Sequence, residues 1–217
     1  MERSGVINIY KEAGYTSHDV VAKLRGILKQ KKIGHTGTLD PQAQGVLPVC
    51  LGKGTKLCDL LADHDKEYEA VLRLGITTDT QDMEGTILKE SSVQVSEEEV
   101  RTCILSFQGE QQQVPPMYSA LKVNGKKLYE LAREGKVVER KARPVTFHNI
   151  EVLWMELPKV KIRVQCSKGT YIRTLCHDLG QALGCGGTMS SLRRTMAAGF
   201  TLKEAATLED VQAQGES

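Results

Sequence analysis

Gly34-His35-Thr36-Gly37-Thr38-Leu39-Asp40-Pro41, followed three residues later by Gly45-Val46-Leu47, is the densest unusual segment of the chain. Two glycines within four residues allow backbone conformations with positive φ and let the main chain approach a ligand closely. Asp40 precedes a proline, which restricts it to an extended or turn geometry. Its carboxylate can therefore project from a loop at the mouth of the apolar run Val46–Leu51, which reads as a buried strand. Functional groups commonly sit on loops braced by such rigid elements. The same residues also admit a plainer reading, since Asp-Pro is a common turn and His35 could be a surface or core histidine.

Outward from this segment, the pattern is one of strands interleaved with isolated helices. Residues Gly5 to Tyr10 alternate as a short strand, and Ser17 can cap a helix with Val20, Val21, Leu24, Ile27 and Leu28 on one face. The polar stretch from Ile33 to Gly45 fits neither period. Tyr68, Ala70, Leu72 and Leu74 alternate along a further strand. Ser96 and Glu99 form a capping box that opens a helix with Val100, Cys103, Ile104 and Phe107 inward. Pro158 interrupts two strands, Ile150–Leu157 and Val160–Cys166, as a turn would. Helices from about Thr170 to Leu183 and near Leu208 complete the reading. This order lacks strict β-α alternation and predicts an α+β domain with a largely antiparallel sheet. No repeat or Pro/Ser-rich linker marks a boundary inside the chain.

The 217 residues, 26% charged and 40% hydrophobic, suffice for one sizeable core and exclude a disordered or fibrous chain. No apolar run approaches the roughly 18 residues of a membrane span, and the N-terminus has no signal-peptide core, so a cytoplasmic protein is expected. Cys50, Cys58, Cys103, Cys166, Cys176 and Cys185 show no C-x-x-C spacing and read as reduced thiols. A net charge of +2 announces no partner, but the local distribution is uneven. From Gln111 to Pro144, Lys122, Lys126, Lys127, Arg133, Lys136, Arg140, Lys141 and Arg143 face only Glu130, Glu134 and Glu139. From Lys161 to Arg194, six basic residues face Asp178 alone. Basic blocks interleaved with Tyr118, Tyr129 and Tyr171 suit an RNA backbone with bases to stack on, although two solvated faces would read the same way.

Other chemistries fail on the same residues. Gly52-Lys53 has Leu47 where a P-loop needs its first glycine, and Gly54 where it needs Ser or Thr. The run from Asp79 to Gly85 has Gln81 and Met83 where an EF-hand needs oxygen ligands. Neither G-x-S-x-G nor H-E-x-x-H occurs.

Taken together, several motifs resemble one family. His35-Thr36-Gly37-Thr38-Leu39-Asp40-Pro41 with Gly45-Val46-Leu47 is similar to the catalytic motif of the TruB-type pseudouridine synthases. Lys66-Glu67-Tyr68, Gly75-x-x-Thr78-Asp79-Thr80-x-Asp82 and Pro115-Pro116-x-Tyr118-Ser119-Ala120-x-Lys122 follow in the family's order. So do Gly125-x-x-x-Tyr129-x-x-Ala132-Arg133, Ser167-x-Gly169-Thr170-Tyr171-Ile172-Arg173 and Leu192-Arg193-Arg194. The matches run from about Gly5 to Leu208, and so many motifs in order are far more specific than any one of them.

The resemblance implies the pseudouridine synthase fold: α+β, with a mixed, mostly antiparallel central sheet flanked by helices. It also implies an RNA-gripping thumb insertion at about 113–145. The reaction implied is isomerisation of uridine 55 in the tRNA T loop to pseudouridine, and nothing in the sequence suggests more than a monomer. Asp40 would be the catalytic aspartate, by covalent attack or through a glycal. Tyr68 would stack on the flipped uracil, and Arg173 would pair with Asp40 and keep it ionised. Tyr171 would contact the target nucleotide, Leu192 would pack on the uracil, and His35 would fill the space the flipped nucleotides leave. Lys122, Lys126, Lys127 and Arg133 would contact phosphates. On residue type alone, Tyr68 reads as sheet packing and Arg173 as a solvated helix residue. No metal or organic cofactor is expected, because the isomerisation involves no net redox change or hydrolysis. Bacterial members usually continue into a small PUA-type RNA-binding domain, which this reading of residues 1–217 as a catalytic domain does not include. Two alternatives remain: a non-catalytic RNA-binding or tRNA-folding module, and a sibling synthase acting on another RNA.

Overall fold

The computed structural model describes residues 2–215. The described chain forms two compact units, one of residues up to Glu69 together with those from Leu192 onward, the other of Ala70–Ser191. In chain order, the first unit opens with β1 (Gly5–Lys11), α1 (Ser17–Leu28), β2 (Ile33–His35) and β3 (Gln44–Leu51). A 3-10 turn over Gly52–Leu57 and the short α2 (Cys58–Ala62) lead into β4 (Lys66–Leu74), along which the first unit gives way to the second.

The second unit carries the hairpin β5 (Ile76–Thr78) and β6 (Ile87–Glu90), then α3 (Glu97–Ser106) and β7 (Gly109–Gln113). Three short elements follow: β8 (Lys122–Val123), β9 (Lys126–Lys127) and α4 (Leu128–Arg133). After it come β10 (Arg143–Glu156), β11 (Lys159–Cys166) and α5 (Ile172–Ala182). β12 (Gly187–Ala197) returns the chain to the first unit, which closes with β13 (Phe200–Thr201) and α6 (Leu208–Gly215).

In the first unit, β3 is the organising strand. It pairs antiparallel with β1 from Gly5↔Leu51 to Lys11↔Gly45. Its other edge changes partner: the C-terminal half pairs antiparallel with β2 at Ile33↔Leu51 and His35↔Val49, and the N-terminal end pairs parallel with β12 at Arg193↔Gln44 and Arg194↔Gly45. The loop 36–43 leaves the sheet where β3 exchanges one neighbour for the other. Beneath it, Ile9, Val20, Leu24, Leu47 and Val49 are fully buried in one core, against which Leu208 and Ala206 also pack. In the second unit, β10 lies between β7 and β11, antiparallel to both. The sheet is thus mixed and mostly antiparallel, and the α+β class expected from the sequence holds.

Several local expectations are corrected. The N-cap of α1 is Thr16 rather than Ser17, with a complete capping box to Asp19. Ser17 is buried and binds elsewhere. Ile33–His35 is a short strand within the stretch that fits neither sequence period. In α3 the inward positions are Val100 and Ile104, while Phe107 sits half-buried at the C-cap. Around β8, β9 and α4 lies a small separate core, Met117, Leu128 and Leu131 with Leu121 and Val138 beside it.

Candidate active site

Asp40 is half-buried within the loop 36–43. The main chain on either side of it is held at every second residue by a side chain from a different element. Arg194, on β12, donates from Nη2 to the Gly37 carbonyl at 3.2 Å and from Nε to the Val46 carbonyl at 2.8 Å. Ser17, on α1, accepts from the Leu39 amide at 3.0 Å. Lys11, the last residue of β1, donates from Nζ to the Pro41 carbonyl at 3.0 Å, and also to Tyr15 at 2.6 Å and Glu12 at 3.0 Å. A turn bond from the Ala43 amide to the Asp40 carbonyl, 3.0 Å, closes the loop.

Lys11 and Arg194 are the two largest fully buried side chains, 0% and 1% exposed. Burying a charge is costly unless its hydrogen bonds are met. Three carbonyls around one ammonium meet all three of its donors. Burial still pushes the Lys11 amine down to about 8, opposed in part by the Asp40 carboxylate and reinforced by Arg194. The ordinary lysine value is 10.5, so between about 8 and 10.5 the unfolded chain holds the proton and the folded chain does not. Stability from this group therefore increases as pH rises through that window, while the positive charge behind Asp40 and one donor to the loop are lost. Any activity that depends on Asp40 should fall above pH about 8 with no parallel loss of thermal stability. A pH–rate profile beside a pH–melting series checks this.

His35, at the end of β2, is half-buried with its Nδ1 enclosed and without a hydrogen-bond partner. Its ring meets that of His18 edge to face, centroids 5.4 Å apart and planes at 78°. Burial first, then the charges of His18 and Arg194, hold His35 below the ordinary histidine range. Tyr68 is buried on β4 at 8% exposure. The acids either side of it are tied to β12: Glu69 to the Arg193 guanidinium at 2.7 Å and Glu67 to the Thr195 hydroxyl at 2.7 Å. Leu192 is half-buried on the same β12. Asp40, His35, Tyr68 and Leu192 therefore all belong to the first unit.

Arg173 and Tyr171 belong to the second. Arg173 lies in the first turn of α5 but is 6% exposed, so it is not the solvated helix residue that its type suggests. It donates to the Thr80 carbonyl at 3.1 Å and the Tyr118 carbonyl at 2.9 Å. The buried Gln113 amide clasps the Tyr171 backbone on both sides, at 3.0 and 2.8 Å. Beside α4, Lys127 and Arg133 sit over the Tyr129 ring at 5.4 and 5.2 Å. Lys122 is exposed. Lys126 lies 3.8 Å from Glu134, an exposed pair worth little to stability.

Lys11, Ser17 and Arg194 were not singled out from the sequence as site residues. The available signal was a lysine ending an alternating apolar strand and a second arginine in Leu192-Arg193-Arg194; neither indicates burial by itself.

Residues 25–172 match the family model "TruB family pseudouridylate synthase (N terminal domain)", and residues 173–216 match "tRNA pseudouridylate synthase B C-terminal domain". The chain is 59% identical over 217 residues to the tRNA pseudouridine synthase B of Lachnoclostridium phytofermentans, covering 96% of this chain and 71% of that protein. It is 54% identical over 210 residues to the one from Alkaliphilus oremlandii, covering 97% and 70%. Among solved structures, a Cbf5-Nop10-Gar1 complex contains a chain 38% identical with a TM-score of 0.78, covering 96% of this chain and 54% of that one. An H/ACA RNP bound to a substrate RNA containing 2'-deoxyuridine matches at 35% identity and a TM-score of 0.73, covering 96% and 52%. The chain thus spans about 70% of these synthases and about half of the solved chains. On a family match over most of its length and relatives more than half identical, the chain belongs to the TruB family of pseudouridylate synthases.

Proposed function

We propose that the chain isomerises uridine 55 in the T loop of tRNA to pseudouridine, with Asp40 as the catalytic carboxylate. The observation that carries this reading is the anchoring of Asp40. Its loop is fixed through the backbone at Gly37, Leu39 and Pro41 by Arg194, Ser17 and Lys11, with Asp40 half-buried between those anchors. A loop held this way spends little binding energy on ordering itself when substrate arrives, which is what positioning a reacting group requires.

The target base is first extruded from the RNA loop, at a cost of a few kcal/mol that stacking and backbone contacts repay. Asp40 assists cleavage of the N1–C1′ bond: in the covalent route it attacks C1′ as that bond breaks, and its own bond to C1′ breaks as C5 bonds there; in the glycal route it takes the C2′ proton and returns it as C5 bonds to C1′. Tyr68 stacks on the uracil, and its hydroxyl accepts the C5 proton as the ring regains aromaticity. Arg173 keeps Asp40 ionised, an assignment its burial supports, since an arginine remains charged where a lysine would not. Leu192 packs on the uracil, Tyr171 contacts the target nucleotide, and His35 enters the vacated space in the T loop. Lys122, Lys126, Lys127 and Arg133, on a thumb-like insertion at about 113–145, grip the phosphates. A matching solved structure binds a substrate RNA, which agrees with an RNA substrate here. Such a substrate fits a monomer working in the cytoplasm; among the described residues no helix is long and apolar enough to cross a membrane.

Comparing a T-arm stem-loop with unrelated uridine-containing hairpins tests the substrate claim. Turnover of the T-arm alone is expected. Equal turnover of the unrelated hairpins would replace it with a broader synthase.

A further inference from the structure

His18 is the second residue of α1, exposed, and no role has been assigned to it above. Its ring is nonetheless packed edge to face against His35, 5.4 Å between centroids at 78°. That geometry is the favoured one for aromatic pairs. The His35 Nδ1 is enclosed without a hydrogen bond, so no bond at that atom fixes the rotation of the imidazole about its Cβ–Cγ axis. The charged groups bearing on His35 are His18 from α1 and Arg194 from β12, neither of which is an acid able to anchor it. Packing must then set the ring's orientation, and the His18 ring supplies that packing from the solvent side.

We propose that His18 is a positioning residue for RNA binding, holding the His35 imidazole in the orientation that enters the T loop. This rests on the proposed T-loop role of His35. His18 stands in the first turn of α1, whose capping box ties Thr16 to Asp19, and whose next residue inward, Ser17, binds the catalytic loop at Leu39. One helix turn thereby supports the loop through Ser17 and the RNA-facing histidine through His18. The effect falls on substrate binding and leaves the chemical step untouched, because His18 supports neither Asp40 nor its anchors.

The test uses His18→Ala, His18→Phe, His35→Ala and the double variant His18→Ala/His35→Ala, all in the full chain. An aromatic contact of this kind corresponds to about three- to tenfold in affinity. His18→Ala should raise KM for a T-arm stem-loop by that factor with kcat unchanged. His18→Phe, which keeps a ring in place, should restore KM. In the His35→Ala background the His18 change should add nothing, since it acts through His35. The His35 ring-proton resonance of the RNA-free protein should shift in His18→Ala and return in His18→Phe. An unmoved resonance, an unchanged KM in His18→Ala, or the full KM increase persisting without His35 would each overturn the proposal. The resonance is read without RNA, so it decides the His18 contact even if wild type forms no pseudouridine, a result that would instead remove the proposed function.

Discussion

Asp40→Asn should leave a folded protein that still binds RNA and forms pseudouridine about 10⁴-fold more slowly or worse, a loss of roughly 5.5 kcal/mol. The substitution is isosteric, and three side-chain anchors of the loop are made to main chain: Arg194 to Gly37, Ser17 to Leu39, Lys11 to Pro41. None of these contacts requires the carboxylate, so the loop should keep its place. What is lost is the negative charge and the lone pairs that could attack C1′ or take a proton from the sugar; a carboxamide does neither. Single-turnover rates with RNA affinity measured in parallel separate the two effects. A rate within tenfold of wild type would mean that the carboxylate is not the reacting group. A matched loss of binding would mean that it shapes the loop.

Gly45→Ala should damage the protein more broadly. Gly45 has a φ of 110°, in the region that L side chains avoid, and a Cβ there would lie 2.1 Å from the Arg194 carbonyl oxygen. No side-chain rotation relieves a clash between a Cβ and backbone. The parallel register at Arg194↔Gly45 must open, and with it the bonds from Arg194 to Val46 and Gly37. The cost should be about 3 kcal/mol or more, or roughly a 10 °C fall in Tm for a chain of this size, accompanied by loss of activity. Gly26→Ala in α1 is the contrasting case: nothing lies within 4 Å of the added Cβ, so about 0.5–1 kcal/mol of stabilisation is expected. Thermal melts of the pair check both signs, and a neutral Gly45→Ala would mean that the β3–β12 junction yields more easily than its geometry implies.

Elements with a strong local signal were legible in the sequence. Alternation located β1 and β4, and the capping box at Ser96 and Glu99 located α3, because those patterns reflect neighbours a few residues away. β12 was not legible. Its run Ser190-Ser191-Leu192-Arg193-Arg194-Thr195 looks like surface, and its place in the sheet depends on Arg193 finding Glu69 and Thr195 finding Glu67, more than 120 residues away. The same holds for the supports of the Asp40 loop. Lys11 reaches Pro41 across 30 residues and Arg194 reaches Gly37 across 157, so their burial is a tertiary fact without local trace. Arg173 shows the limit of residue-type reasoning in the other direction: an arginine in a first helical turn is usually solvated, and this one is buried against two carbonyls. The Asp40 segment itself could be found in the sequence because its glycines and Asp-Pro step are local conformational requirements.

Base-resolved detection of pseudouridine in an unmodified tRNA transcript, incubated with the wild-type chain, tests the central claim most directly. The account predicts a single new pseudouridine at position 55 and none with Asp40→Asn. An unmodified position 55 in RNA that the protein demonstrably binds, or modification at other uridines instead, would contradict it.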